Sequence, residues 1–215
     1  MNTMVKRTAG VQIGALNLKG FLVVPRKASG MVLFVHGSGS SRFSPRNRYV
    51  AKVLQDAGMA TLLIDLLTEG EDATQAKRFD INLLTNRLIS IIEWLKGNPA
   101  TAALPLGLFG ASTGAAAALK AAAHLGPRVK AVVSRGGRPD LAMDEIPRVT
   151  TPTLLIVGGE DPEVITLNEQ ALRALRSLKQ LEIIRGATHL FEEPGTLERA
   201  AELARSWFKK YLSAV

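Results

Sequence analysis

From Met31 onward the chain is punctuated by short apolar runs that carry no polar alternation. They are Met31–His36, Ala60–Asp65, Leu104–Gly110, Val129–Ser134, Thr153–Val157 and Leu181–Ile184. A strand that is apolar on both faces must be covered on both faces, which restricts the fold to a mostly parallel sheet flanked by helices. The intervening segments supply those helices. Ser44-Pro45 reads as an N-cap and first helical residue ahead of Val50, Val53 and Leu54, and Gly58 closes that segment. Asp80 caps a stripe of Ile81, Leu84, Leu88, Ile91, Ile92 and Leu95 that ends at Gly97-Asn98-Pro99. Gly114–Leu125 is an alanine-rich helix stopped by Gly126-Pro127, and Val164–Leu178 and Gly195–Leu212 are two more. Thr68–Lys77 reads as a loop and Arg135–Thr151 as irregular chain. Upstream, the alternation in Val11–Leu18 and the run Phe21–Val24 predict two further strands, an antiparallel pair. The class is therefore α/β, with eight strands. In 215 residues no linker, repeat or low-complexity tract appears, so a single domain, 1–215, is expected.

Composition narrows the function classes. Apolar residues make up 47% and charged residues 21%, a globular balance rather than a disordered one. Lys and Arg outnumber Asp and Glu 27 to 19, a net charge of +8. Such a balance admits an anionic partner, but it is also an ordinary solubilising surface. Aromatics are only 5%, with no basic stretch of the kind that stacks on bases, so no nucleic-acid partner is expected. There is no cysteine, which removes disulfides, thiolate metal sites and a cysteine nucleophile. Near the N-terminus, Val11, Ile13, Leu16 and Leu18 are interrupted by Gln12, Gly14 and Asn17, unlike a signal-peptide core. No apolar run approaches the ~18 residues of a membrane span, so a soluble cytoplasmic protein is expected. Dinucleotide, P-loop and zinc-protease motifs are absent, and neither a metal nor an organic cofactor is expected.

In an open α/β sheet, ligands sit outside the carboxyl ends of the strands. The residues just past the apolar runs are His36-Gly37-Ser38-Gly39, Asp65, Ser112, Ser134-Arg135, Glu160-Asp161 and His189. The sharpest signal among them is Gly110-Ala111-Ser112-Thr113-Gly114, a G-x-S-x-G between a strand and a helix. A turn tight enough to expose a serine Oγ strains its backbone, and the flanking glycines remove the side chains that would collide. A serine hydroxyl needs a base to take its proton. Of three histidines, His124 falls inside the alanine-rich helix and His36 ends a strand, where it shapes the glycine turn. His189 lies in the short loop after the last strand and is the expected base. Asp161 is the expected acid that orients it, with Asp140 as fallback; Glu160 is expected to point away, and Asp65 to be a loop or capping residue. Asp161-Pro162 also fits an N-cap and first helical residue. Oxyanion donors are expected from the amides of Thr113 and Ser38. Gly37, Arg42 and Arg135 lie at the expected mouth, with Arg46 and Arg138 nearby, and are candidates for substrate binding.

These segments resemble the α/β-hydrolase superfamily over nearly the whole chain. The likeness is carried by Leu33–Gly39, Phe109–Gly114, Ile156–Asp161 and Gly186–His189. Within it, the small size is most similar to the dienelactone-hydrolase-related group, whose namesake members carry cysteine where this chain has Ser112. The resemblance implies a three-layer αβα sandwich whose eight-stranded sheet is parallel except for strand 2. It also implies the order Ser112, Asp161, His189. Larger members insert a cap domain between the sixth and seventh strands, but here only Arg135–Thr151 is available, so an open or shallow site follows. The expectation is a serine carboxylic-ester hydrolase acting on small or short-chain esters. Its rivals are lactone or thioester cleavage by the same residues, and a non-catalytic scaffold that binds an anionic partner.

Overall fold

The six apolar runs lie side by side as the parallel part of one sheet. The computed structural model describes residues 6–212. Its strands are β1 Lys6–Ile13, β2 Leu18–Pro25, β3 Met31–Val35, β4 Ala60–Ile64, β5 Leu106–Ala111, β6 Val129–Arg135, β7 Thr153–Gly158 and β8 Lys179–Ile184. The sheet order is β1-β2-β4-β3-β5-β6-β7-β8. Strands β3 to β8 pair in parallel, and β2 runs antiparallel to both β1 and β4. Every residue of β3, β4, β5 and β7 is buried, as a strand sandwiched between two helical layers requires.

The helices are α1 Pro45–Asp56, α2 Glu69–Asp72, α3 Gln75–Arg78, α4 Ile81–Gly97, α5 Thr113–Leu125, α6 Pro162–Ala174 and α7 Thr196–Leu212. Two cores result, one per sheet face. On one, α1 and α7 bring Val50, Leu54, Trp207 and Phe208 onto Val32, Phe34, Phe109, Val133 and Ile156. On the other, α4, α5 and α6 bring Leu88, Ile92, Leu119 and Ala171 onto Leu33, Val35, Leu108, Val132 and Leu155. The alanines of α5 let its axis approach the central strands closely: Ala115 to Ala118, Ala121 and Ala122 are all fully buried.

The N-terminal strands depart from the sequence reading. Val11–Leu18 is not one strand. It spans the end of β1, a tight turn at 14–17 closed by Asn17 N–H donating to the Gly14 carbonyl (3.0 Å), and the start of β2. Gly14 and Asn17 both have positive φ, the turn signal that outweighs the apolar alternation. Thr68–Lys77 is likewise not plain loop, because it contains α2 and most of α3. Thr68 and Glu71 form a reciprocal capping box. Arg87 of α4 donates two 2.6 Å hydrogen bonds to the Glu71 carboxylate and holds it well below the usual carboxylate range. Among the described residues no helix is long and apolar enough to cross a membrane.

Candidate active site

Ser112 follows β5 and opens α5 with φ +50° and ψ −123°. It stands at the N-cap position, yet its side chain makes no capping hydrogen bond. The hydroxyl is therefore not spent on capping the helix. The flanking glycines are required sterically. A Cβ on Gly110 would lie 2.4 Å from the Ala115 Cα, and one on Gly114 only 2.3 Å and 2.5 Å from the carbonyl oxygens of Val35 and His36. Both obstacles are backbone and cannot yield. Gly37 is also tight, since its Cβ would come 2.9 Å from the Ser112 Cβ. The glycine turn after β3 therefore packs directly on the serine.

The segment after β6 runs between Ser112 and His189. Ser112 N–H donates to the Arg135 carbonyl (3.2 Å), and Arg138 N–H donates to the Ser112 carbonyl (3.1 Å). A Cβ on Gly136 would lie 3.3 Å from the His189 carbonyl and 3.6 Å from its ring Cε1, so His189 stands over Gly136. Asn168, fully buried in α6, donates to the Gly137 carbonyl at 3.0 Å and pins this segment from below.

His189 Nδ1–H donates to Asp161 Oδ2 at 2.7 Å. This leaves Nε2 as the free acceptor of the ring. The Asp161 side chain is 15% exposed and that of His189 38%. Asp161 is the N-cap residue of α6, as its Asp-Pro sequence suggests, but its carboxylate makes no capping bond and turns to the imidazole instead. The loop that carries the histidine is braced locally: Thr188 donates to Glu193 through its amide (3.0 Å) and its hydroxyl (2.6 Å). These bonds lower the Glu193 pKa from its ordinary value.

Other candidates resolve into different roles. Asp140 pairs with Arg138 (2.9 and 2.8 Å) and is not the partner of His189. Glu160 is exposed. His36 Nδ1–H donates to the Gly37 carbonyl at 2.9 Å and shapes the glycine turn, and His124 reaches Glu145 at 3.3 Å. Asp65 accepts the Arg42 amide (2.6 Å) and forms an ion pair with the Arg42 guanidinium, which also lies over the Phe43 ring, 4.2 Å from its centroid. Arg42 is thus a fixed part of the wall rather than a free anion receptor. The same wall, with His36, Ser40 and Leu67, lines a cleft of about 240 Å³.

The two oxyanion candidates stand differently. Thr113 is the first residue of α5, where an amide has no partner within its helix. The Ser38 amide is engaged: it donates to the Thr113 side-chain oxygen at 2.8 Å. Among the described residues no group of three or more His, Asp or Glu side chains is placed to hold a metal ion. Thr188, Glu193 and Asn168 escaped the sequence reading. Only Asn168 left a signal there, as a polar residue on the stripe shared by Val164 and Ala171.

This sheet order, with a strained serine after β5 and an Asp–His pair after β7 and β8, defines an α/β-hydrolase. The chain belongs to the dienelactone hydrolase family, whose model matches residues 18–214. It is 56% identical to a dienelactone hydrolase from Anabaena variabilis. That structure superposes with a TM-score of 0.92 over 98% of this chain and 100% of that one. Est1E from Butyrivibrio proteoclasticus shares the fold at 15% identity, with a TM-score of 0.80 over 94% of this chain and 98% of that one. A Mycobacterium tuberculosis protein provisionally named phosphoribosyl transferase is 57% identical over 202 residues, 94% of this chain. Those residues are 46% of that protein, so the chain spans about half the length of the curated relatives it matches.

Proposed function

We propose that the protein hydrolyses small carboxylic esters through Ser112, His189 and Asp161. The observation that carries this reading is the 2.7 Å Asp161–His189 bond, reached across the Arg135–Gly136 segment from a serine whose backbone is strained and whose side chain caps nothing. Ser112 Oγ attacks the acyl carbon while His189 Nε2 takes its proton; Asp161 holds the tautomer and stabilises the imidazolium. The tetrahedral oxyanion accepts from the Thr113 amide at the positive end of α5. It also accepts from the Ser38 amide, once that amide shares or releases its bond to the Thr113 hydroxyl. The imidazolium returns its proton to the leaving alcohol. His189 then activates water to release the acid from the acyl-enzyme. The hydrolase family supports the reaction type, and the short segment between β6 and β7 supports a small, open site. Ser112→Ala is expected to abolish p-nitrophenyl acetate turnover in folded protein. Turnover at the wild-type rate would refute the reading.

A second reading, ring opening of a lactone by the same residues, is favoured by the name of the 56% identical Anabaena protein. The steps are the same except that the leaving alcohol stays tethered to the acyl group. Relative kcat/KM on a lactone and its open-chain ester separates the two.

A further inference from the structure

Arg135 ends β6, one strand from the nucleophile, and is 7% exposed. Its guanidinium lies between two rings, 6.0 Å from the Phe109 centroid and 5.7 Å from that of Phe191. Its one hydrogen bond is long, from Nη2 to Asn47 Oδ1 at 3.3 Å, while Nε and Nη1 are buried with no partner in the protein. No carboxylate among the described residues forms an ion pair with it. Burial, and then the neighbouring positive charge of Arg46, push its pKa down to about 10. A protein does not bury an unpaired cation without compensation, and pairing by an anion is the ordinary one.

The surroundings have the same sign. Asn47 is in the first turn of α1, a twelve-residue helix, and its side-chain contact places the guanidinium next to that turn. Helix N-termini carry about half a positive charge and attract anions. Arg46, in the same turn, pairs with Glu192 at 2.7 Å, yet its positive charge is still felt by the Arg135 guanidinium. Arg135 and the helix end then sum to roughly +1.5. A phosphate monoester carries about −1.5 to −2 at neutral pH, a closer match than the single charge of a carboxylate.

We propose that Arg135, Asn47 and the first turn of α1 form a subsite for the phosphate group of a phosphorylated ester substrate. The subsite adjoins the chemistry: the Arg135 carbonyl holds the Ser112 amide, Gly136 faces His189, and Phe191 is two residues beyond the histidine. The idea rests on the hydrolase reading only for what the phosphate belongs to; the anion site itself does not.

Inorganic phosphate is the probe, at constant ionic strength and pH. In Ser112→Ala protein it is expected to raise Tm in a saturable way, by about 3–5 °C at ten times its dissociation constant. In wild type it should raise KM for p-nitrophenyl acetate without lowering kcat. Arg135→Met should lose the thermal response, whereas a remote exposed arginine variant, Arg173→Met, should keep it. Should Arg135→Met not fold, Asn47→Asp serves instead. Its carboxylate pairs with Arg135 within the site, so Tm rises in buffer and the phosphate response disappears. A response equal in wild type, Arg135→Met and Asn47→Asp would be general salt exclusion and would overturn the proposal, as would no response in Ser112→Ala protein. Absence of ester hydrolysis with the phosphate response intact would instead strike the ester reading and leave the subsite standing.

Discussion

A carboxylate at the start of a helix has two competing uses, and Asp161 shows which one wins. Its side chain forgoes the cap of α6 and donates nothing to helix stability; it holds His189 instead. Asp161→Asn is therefore expected to cut kcat by about 10⁴-fold while leaving Tm nearly unchanged, because the amide presents the wrong partner to Nδ1–H. Steady-state kinetics and a melting curve on the same preparation check both halves. A large fall in Tm would mean the carboxylate serves the helix after all. Glu193 gives a pH signature one step away from the histidine. Its pKa is lowered by the Thr188 hydroxyl and amide, so the brace is present above the ordinary carboxylate pKa and is lost as pH falls through the lower folded value. Exchange protection of the Thr188 amide should persist through the ordinary carboxylate range and fail only below it. Failure within that range would contradict the assignment.

At the scale of elements, the closest fit is between α5 and β3. Gly114 admits the carbonyls of Val35 and His36, and any side chain there meets unyielding backbone. Gly114→Ala is expected to cost about 3 kcal/mol and lower Tm by about 6–12 °C, measured by thermal unfolding. An unchanged Tm would show that the helix can back away from the strand. The elements most legible in the sequence were those whose burial is complete. The fully buried strands β3, β4, β5 and β7 and the stripe of α4 announce themselves because no charged residue interrupts them, whereas β8 carries Glu182 and is largely exposed. The hairpin at Gly14–Asn17 was hidden by apolar Leu16 in its turn, which is 51% exposed. The one-turn helix α2 is held by a capping box and by the Arg87–Glu71 pair, contacts that no periodicity reveals, and α3, which follows it, is a single turn with no side-chain cap.

Across the whole molecule, a parallel sheet places the ends of β3, β5, β6, β7 and β8 on one edge, and chain order alone therefore names most of the groups that meet there. The positions of Ser112, Asp161 and His189 at that edge were readable in that way. What the sequence could not show was which charges are already spent. Arg42 is bound to Asp65, Arg138 to Asp140 and Arg46 to Glu192, while Arg135 alone of these four is buried without a carboxylate. The surplus of +8 over the chain says nothing about that distribution.

The ester reading stands on Ser112 being an activated nucleophile. Reaction with a fluorophosphonate, followed by intact mass and peptide mapping, tests it most directly. The account requires one adduct per chain, located on Ser112, lost in Ser112→Ala and slowed at least a hundredfold in folded His189→Ala. Wild-type protein that stays unmodified, or an adduct that forms equally well in Ser112→Ala, would contradict it.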